Sequence, residues 1–102
     1  MDNSDNSAQA TVLIVDEESS IRDRVSLVLE YEGLKVVEAS SGDQGLQQVR
    51  RLQPDAVLLD IKMPELDGLQ VLQLLSERGY EMPVIIITGH GDIETAIEAT
   101  RK

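Results

Sequence analysis

The sequence predicts an α/β fold, a parallel sheet covered by helices on both faces. Three short apolar runs, residues 12–15, 56–59 and Val84–Ile87, are each bounded by polar residues, as is typical of strands buried on both faces. Segments with apolar residues at helical spacing separate these runs, and this alternation predicts α/β architecture. Because 102 residues are enough for one packed core, we expect one domain.

The first part of the chain predicts two strands and a helix. Residues 11–15 form the first strand. Ser19 or Ser20 can cap a first helix, and Gly33 can end it in a left-handed conformation. Residues 35–39 alternate in polarity more than the other strands, which predicts a partly exposed edge strand.

The middle of the chain predicts two further helices around a buried strand. Ser41 can cap a second helix that runs to about residue 52. A strand is expected at residues 55–59. Gly68 then begins a third helix, which ends near Gly79.

The two ends of the chain are predicted to differ from the core. Residues 1–10 are rich in Asn, Ser and Asp, which predicts a disordered tail. After the strand Val84–Ile87, Asp92 can cap a fourth helix that includes Ile93.

Composition excludes several classes of function. The chain has no cysteine and a formal net charge of −10, which argues against disulfides and against direct contact with nucleic acid. No apolar run is long enough to span a membrane, and the N-terminus lacks the features of a signal peptide. We therefore expect a cytoplasmic protein.

Polar side chains follow three of the predicted strands. Asp16 and Glu17 follow the first strand, Asp60 follows residues 56–59, and Thr88 follows the last apolar run. In parallel sheets, ligands bind at the carboxyl ends of the strands. Three carboxylates and one hydroxyl at this edge predict an acidic pocket for a hard cation.

The residues around these positions resemble a known family. They include Asp16-Glu17-Glu18, the string Asp60-Ile61-Lys62-Met63-Pro64, the pair Asp67-Gly68, and Thr88-Gly89. In this order and spacing they resemble the receiver domain of bacterial two-component response regulators, from about residue 11 to residue 102. The resemblance implies a flavodoxin-like, three-layer fold with strand order 2-1-3-4-5.

The last strand and helix of the family have no counterpart in this sequence, so we expect order 2-1-3-4 and a receiver domain, residues 11–102, that is incomplete at its C-terminal end. We expect Val84–Ile87 to become an edge with unpaired backbone groups, and the chain to self-associate through this strand and the fourth helix. The family's lysine on the fifth strand also has no counterpart, which implies impaired phosphotransfer.

The resemblance also implies the chemistry of the pocket. Asp60 would be the phosphoacceptor, taking a phosphoryl group from a sensor histidine kinase with Mg²⁺ or Mn²⁺ bound. Glu17 would ligate the ion directly, Asp16 through water, and Lys62 through its backbone carbonyl. Thr88 would be the hydroxyl that senses the phosphoryl group. The domain would be a signalling module rather than an enzyme, and any output domain would lie C-terminal to it.

Three alternatives stay open. The strongest alternative is a receiver-like interaction module that is not phosphorylated. A flavin- or nucleotide-binding relative would need a phosphate cradle where Asp16-Glu17-Glu18 stands. A phosphohydrolase would need a second carboxylate where Lys62 stands. These residues could also have purely structural roles: Asp16 and Glu17 could cap the next helix, and Asp60 could be a turn residue.

Overall fold

The computed structural model describes residues 9–63 and 65–87, and the backbone of residues 93–94. Strands and helices alternate along most of this chain. Their bounds, in chain order, are β1 Thr11–Val15, α1 Ser19–Tyr31, β2 Lys35–Ala39, α2 Gly42–Leu52, β3 Ala56–Asp60, α3 Gly68–Glu77, β4 Val84–Ile87 and β5 Ile93–Glu94.

The strands form one sheet in the order β2-β1-β3-β4-β5. The first four strands in this order are parallel, which confirms the predicted order 2-1-3-4 and places β2 at an edge. In register, Val15 of β1 pairs with Ala39 of β2 and Leu59 of β3. The carboxyl ends of β1, β2 and β3 therefore meet at one edge of the sheet.

Residues 93–94 correct the predicted fourth helix. They form the two-residue strand β5, which runs antiparallel to β4 and pairs with Ile86 and Ile87. The prediction that β4 is an unpaired edge is thus wrong at Ile86 and Ile87. Pairing satisfies backbone groups that would otherwise be left at the edge, and this outweighs the helical pattern at Ile93. The rest of the predicted helix lies outside the described residues.

Two smaller predictions also need correction. The third strand begins at Ala56 and includes Asp60, one residue later than expected. Helix α1 begins at Ser19 with Glu18 as its N-cap residue, and Glu18 makes no side-chain capping bond. Neither Ser19 nor Ser20 therefore caps α1. The entry to α1 follows the turn made by Asp16, which accepts the Glu18 N–H at 2.9 Å.

The main core lies between the sheet and helices α2 and α3. Alternate residues of β1, β3 and β4 point toward these two helices, since side chains of a strand alternate between faces. The buried cluster on this face is formed by Leu13, Val15, Ala39, Val49, Val57, Leu59, Met63, Val71, Leu72, Leu75, Val84 and Ile86. Val12 and Ile14 are also buried but point to the opposite face, where α1 contacts β1 and β2.

The predicted helix ends at Ser41 and Gly33 are confirmed. The Ser41 hydroxyl accepts the backbone N–H of Gln44 at 3.2 Å, which caps α2. Gly33 follows α1 with φ +90°, a conformation that glycine adopts without a steric penalty. No helix in the described part of the chain is long and apolar enough to cross a membrane.

Candidate functional site

Asp16 and Asp60 lie beside each other at the carboxyl edge of the sheet. Asp16 directly follows β1 and Asp60 is the last residue of β3, and these two strands are paired neighbours. Both residues are buried, with exposed fractions of 1% and 6%, and Asp16 is close enough to raise the pKa of Asp60. Buried carboxylates are rare unless they are paired or bind a cation.

The position of Asp16 is fixed from both its backbone and its side chain. Its N–H donates to the carbonyl oxygen of Ala39 at 3.1 Å, which extends the pairing of β1 with β2. One of its carboxylate oxygens, Oδ1, accepts the Glu18 N–H. This is the local turn that aspartate commonly makes with the backbone two residues ahead. The helix-entry role considered for Asp16 is therefore present, and its second carboxylate oxygen is left for the pocket.

Asp60 has a pKa raised from 3.8 to about 6. The largest cause is burial, which disfavours the charged form. The backbone N–H of Lys62 donates to Asp60 Oδ1 at 3.1 Å and lowers the pKa, while the hydrogen-bonded, negatively charged Asp16 and the charge of Glu17 raise it. At pH 7 a carboxyl group with this pKa is mostly ionised, so Asp60 carries a negative charge in buried surroundings.

The connection from β3 to α3 holds Asp60 by close backbone packing. A Cβ atom added to Gly68 would lie 2.7 Å from the Ile61 Cα atom and still closer to the carbonyl oxygen of Asp60. Gly68 also donates its N–H to the Ile61 carbonyl oxygen at 3.2 Å. Glycine is therefore required here because α3 begins in contact with the backbone that follows β3.

The same connection ends in a capping box. The Asp67 carboxylate accepts the Gln70 N–H at 2.9 Å, and the Gln70 side chain accepts the Asp67 N–H at 2.9 Å. Such reciprocal bonds satisfy two donors that a helix start leaves free. Asp67 therefore caps α3, which begins at Gly68 as predicted.

The other predicted site residues have different outcomes. The Glu17 and Lys62 side chains are exposed, and Thr88 lies outside the described residues. Within residues 9–63 and 65–87, no group of three His, Cys, Asp or Glu side chains is arranged to hold a metal ion. The site in the described residues therefore consists of the buried Asp16–Asp60 pair, and the exposed Glu17 is close enough for its charge to raise the pKa of Asp60.

The donor chemistry of this pair fits a small divalent cation. Two adjacent carboxylates repel each other when both are ionised, and the raised pKa of Asp60 partly reflects that repulsion. Mg²⁺ is commonly held by one or two carboxylates and keeps several of its waters. Asp16 and Asp60 supply the two carboxylates of such a site.

Three residues that support the backbone of Asp16 were not identified from the sequence. Arg22 of α1 donates to the backbone carbonyl oxygen of Asp16 and forms an ion pair with Glu38 of β2. Ser26, one turn further along α1, donates to the same Glu38 carboxylate. The four-residue spacing of Arg22 and Ser26 placed them on one face of α1, but nothing in the sequence indicated that β2 would supply their partner.

Comparison with known proteins identifies the family to which these features belong. The model of the response regulator receiver domain matches residues 12–102. An NtrX-like response regulator of Rickettsia felis is 43% identical over 96 residues, 92% of this chain and 20% of that protein. The regulatory protein AtoC of Escherichia coli is 37% identical over 90 residues, 88% of this chain and 20% of that protein. This chain thus spans about a fifth of the length of these relatives.

Solved structures give the same result. The crystal structure of a response regulator receiver domain protein from Clostridium thermocellum has a TM-score of 0.75 and 39% identity, covering 81% of this chain and 68% of that one. NtrX from Brucella abortus, solved in complex with ATP, has a TM-score of 0.76 and 40% identity, covering 90% of this chain and 21% of that one.

Proposed function

Because this chain belongs to the response regulator receiver family, we propose that it accepts a phosphoryl group on Asp60 in two-component signalling. The observation that carries the proposal is the buried Asp16–Asp60 pair at the ends of two neighbouring strands. In this proposal Asp60 supplies the nucleophile, and Asp16 shares a cation with it. The family as a whole is a signalling domain rather than a conventional enzyme.

The proposed step is a nucleophilic displacement at phosphorus. A carboxylate oxygen of Asp60 attacks the phosphoryl group of a phosphohistidine on a sensor kinase, or of a small phosphodonor. A new P–O bond forms while the bond from phosphorus to the donor breaks, and its electron pair leaves with the donor atom. The product is an aspartyl phosphate. The Lys62 N–H, which donates to Asp60 Oδ1, keeps the carboxylate oriented for this attack.

The chemistry requires that negative charge be neutralised, because an anionic nucleophile approaches an anionic phosphoryl group. A bound Mg²⁺ or Mn²⁺ ion would offset this repulsion and orient the donor's oxygens. We assign its ligation to Asp60, Glu17 and the Lys62 carbonyl group, with Asp16 bound to the ion through water. Asp16 is suited to this role because its backbone is already fixed by β2.

The proposal also concerns parts of the protein beyond the described residues, namely Thr88 and an output domain. We propose that residues 11–102 form the receiver unit and that Thr88 senses the phosphoryl group. Relatives such as AtoC are far longer than this chain, so an output domain C-terminal to the receiver is part of the proposal. The partner upstream is a histidine kinase.

Phosphorylation by acetyl phosphate tests the proposal. We expect a mass increase of one phosphoryl group that requires Mg²⁺, maps to Asp60 and is absent from Asp60→Asn. Asp43→Asn is a suitable control because Asp43 is an exposed carboxylate on α2. Labelling that persists in Asp60→Asn would contradict the assignment. A folded protein that binds Mg²⁺ but is never labelled would instead favour a receiver-like interaction module.

A further inference from the structure

Arg22 connects three separate parts of the fold behind the carboxylate pair. Its Nη1 donates to the Asp16 carbonyl oxygen at 2.6 Å, and its Nε donates to Glu38 Oε1 at 3.0 Å. The remaining Glu38 oxygen, Oε2, accepts the Ser26 hydroxyl at 3.1 Å. Through this one guanidinium, α1 is joined both to the end of β1 and to β2.

The groups that form this network differ in their exposure to solvent. The Arg22 side chain is 16% exposed and that of Glu38 is 38% exposed, while Ser26 is buried. Hydrogen bonds to charged groups are shorter and about twice as strong as those between neutral groups, and the bond from Arg22 to the Asp16 carbonyl oxygen is partly buried. The planar guanidinium can donate in two directions at once, which a lysine ammonium on a flexible chain does less precisely.

Asp16 is the residue on which this network acts. Its N–H is bound to Ala39, its carbonyl oxygen to Arg22, and its Oδ1 to the Glu18 N–H. With these three groups engaged, the direction of the second carboxylate oxygen is set by the backbone. Without the Arg22 bond, the carbonyl group is free to rotate and the segment from Asp16 to Glu18 loses one of its three attachments.

We propose that Arg22 is a positioning residue that holds Asp16 in the geometry required to share a divalent cation with Asp60. The proposal rests on the proposed function, because it concerns the metal site of the same pocket. Arg22 does not touch the cation. It acts through the backbone of Asp16, with Glu38 and Ser26 keeping its side chain in place.

Charge and positioning predict opposite changes in cation affinity when Arg22 is replaced, and this makes the inference testable. A positive charge near a cation site disfavours cation binding, so removing the charge of Arg22 should tighten binding if charge alone matters. Positioning predicts weaker binding, since loss of residues that orient metal ligands commonly lowers affinity about 10- to 100-fold. The sign of the change therefore separates the two roles.

The experiment is titration of the whole chain with Mg²⁺ by calorimetry, for wild type, Arg22→Gln, Arg22→Lys and Arg24→Gln. Arg24 is the matched control because it is an exposed arginine on the same helix. We expect about a tenfold loss of affinity in Arg22→Gln. Arg22→Lys keeps the positive charge, and we expect its loss of Mg²⁺ affinity to be nearly as large as that of Arg22→Gln. Thermal unfolding without metal shows whether each variant is folded.

The outcomes are distinct. Unchanged or tighter Mg²⁺ binding in Arg22→Gln, or wild-type affinity in Arg22→Lys, overturns this inference and leaves the proposed function intact. Should Arg22→Gln fail to fold, Arg22→Lys decides, because lysine keeps the positive charge but cannot donate in the same two directions: weaker Mg²⁺ binding supports the inference, and wild-type affinity overturns it. Wild-type protein that binds no Mg²⁺, or binds equally well as Asp60→Asn, overturns both the inference and the metal site of the proposed function.

Discussion

The two connections that carry the carboxylate pair are held in place in different ways. The β1–α1 connection is fixed largely by side chains, since Arg22 reaches from α1 to the Asp16 carbonyl oxygen and to Glu38. The β3–α3 connection is fixed by backbone contact, since α3 begins with Gly68 packed directly against Asp60 and Ile61. One connection depends on charge and hydrogen bonding, and the other depends on the absence of a side chain.

This difference predicts how each connection fails. Side chains can rotate or be replaced by water, so the β1–α1 connection should lose precision before it loses stability. Two backbone segments in contact cannot separate without moving α3, so disturbing the β3–α3 connection should cost stability directly. Asp60, the proposed phosphoacceptor, thus lies on the β3–α3 connection, which is the more rigid of the two.

The largest effect is expected from Gly68→Ala. The added Cβ atom would overlap the Asp60 carbonyl group and the Ile61 Cα atom, and neither belongs to a flexible side chain. Overpacking of this kind costs about 3 kcal/mol of unfolding free energy. Urea unfolding of the metal-free protein measures it as a lower midpoint at unchanged slope.

Gly45→Ala is the matched control for this prediction. Gly45 is also a buried helical glycine, but a Cβ atom there would meet the Val15 side chain, at 2.9 Å from Cγ2. Val15 is buried and β-branched, so it can yield only slightly, but alanine gains about 1 kcal/mol of helix propensity over glycine, and we expect a net loss of about 1 kcal/mol or less. Equal losses in the two variants would contradict the idea that backbone contact makes the β3–α3 connection special.

Asp67→Ala should cost about 1 kcal/mol, the usual value for losing an N-cap side chain. It removes the carboxylate that accepts the Gln70 N–H and so weakens the rigid connection without steric overlap. The control Gln70→Ala removes only the reciprocal bond to the Asp67 N–H and should cost less. A loss in Gln70→Ala as large as that in Asp67→Ala would mean that the capping box acts through some other contact.

Asp60→Asn should stabilise the metal-free protein by about 1 kcal/mol at pH 7. The pKa of Asp60 in the fold is about 6, against an ordinary value of 3.8. Each pKa unit corresponds to about 1.4 kcal/mol, and screening by solvent lowers the free energy that this shift contributes to about 1 kcal/mol. The asparagine variant keeps the shape of the side chain and removes the buried charge.

The sign of the pH dependence follows from the raised pKa. The native state holds the Asp60 proton more tightly than the unfolded state, so this contribution to stability is fully present below pH 4 and is lost as the pH rises through about 6. The advantage of Asp60→Asn should therefore appear between pH 4 and pH 6 and persist above. Asp23→Asn removes an exposed charge from α1 and controls for the net charge. An advantage of Asp60→Asn that is equal at pH 3.5 and pH 7, measured with EDTA present, would contradict a buried charge as its cause.

Most of the fold could be predicted because local signals agreed with the global architecture. The strands Thr11–Val15 and Val84–Ile87 were bounded by polar residues, and Ser41 and Gly33 marked helix ends correctly. The error at residues 93–94 has a different origin. Apolar residues there fit a helix, but the unpaired edge of β4 is a tertiary feature, and local periodicity carries no information about it.

The candidate site was predictable to the extent that strand ends determine it. Asp16 and Asp60 follow neighbouring strands, and the register of a parallel sheet brings them together. The role of Arg22 was not predictable, because its partner Glu38 is sixteen residues away on another strand. Close approach of Gly68 to Asp60 was likewise invisible, since the sequence records a glycine but not the backbone it faces.

The smallest expected effect concerns the start of α1, where the two connections differ again. Helix α3 begins with a capping box, whereas Glu18 at the N-cap of α1 makes no side-chain capping bond. Glu18 already has extended backbone angles, φ −91° and ψ 116°, which suit a capping serine. Glu18→Ser should therefore stabilise the protein by about 0.5 kcal/mol, at the low end of measured capping effects.

The comparison with Glu18→Ala isolates the cap, because both variants remove the same carboxylate and only serine restores an acceptor. Thermal or urea unfolding of the two variants should differ by the capping free energy, and identical stabilities would show that this helix start gains nothing from a cap. We expect Mg²⁺ affinity to be the same in the two variants, since the Glu18 backbone N–H still donates to Asp16 Oδ1. The helix start of the β1–α1 connection can then be strengthened without moving Asp16, because the position of Asp16 depends on Arg22 and on β2.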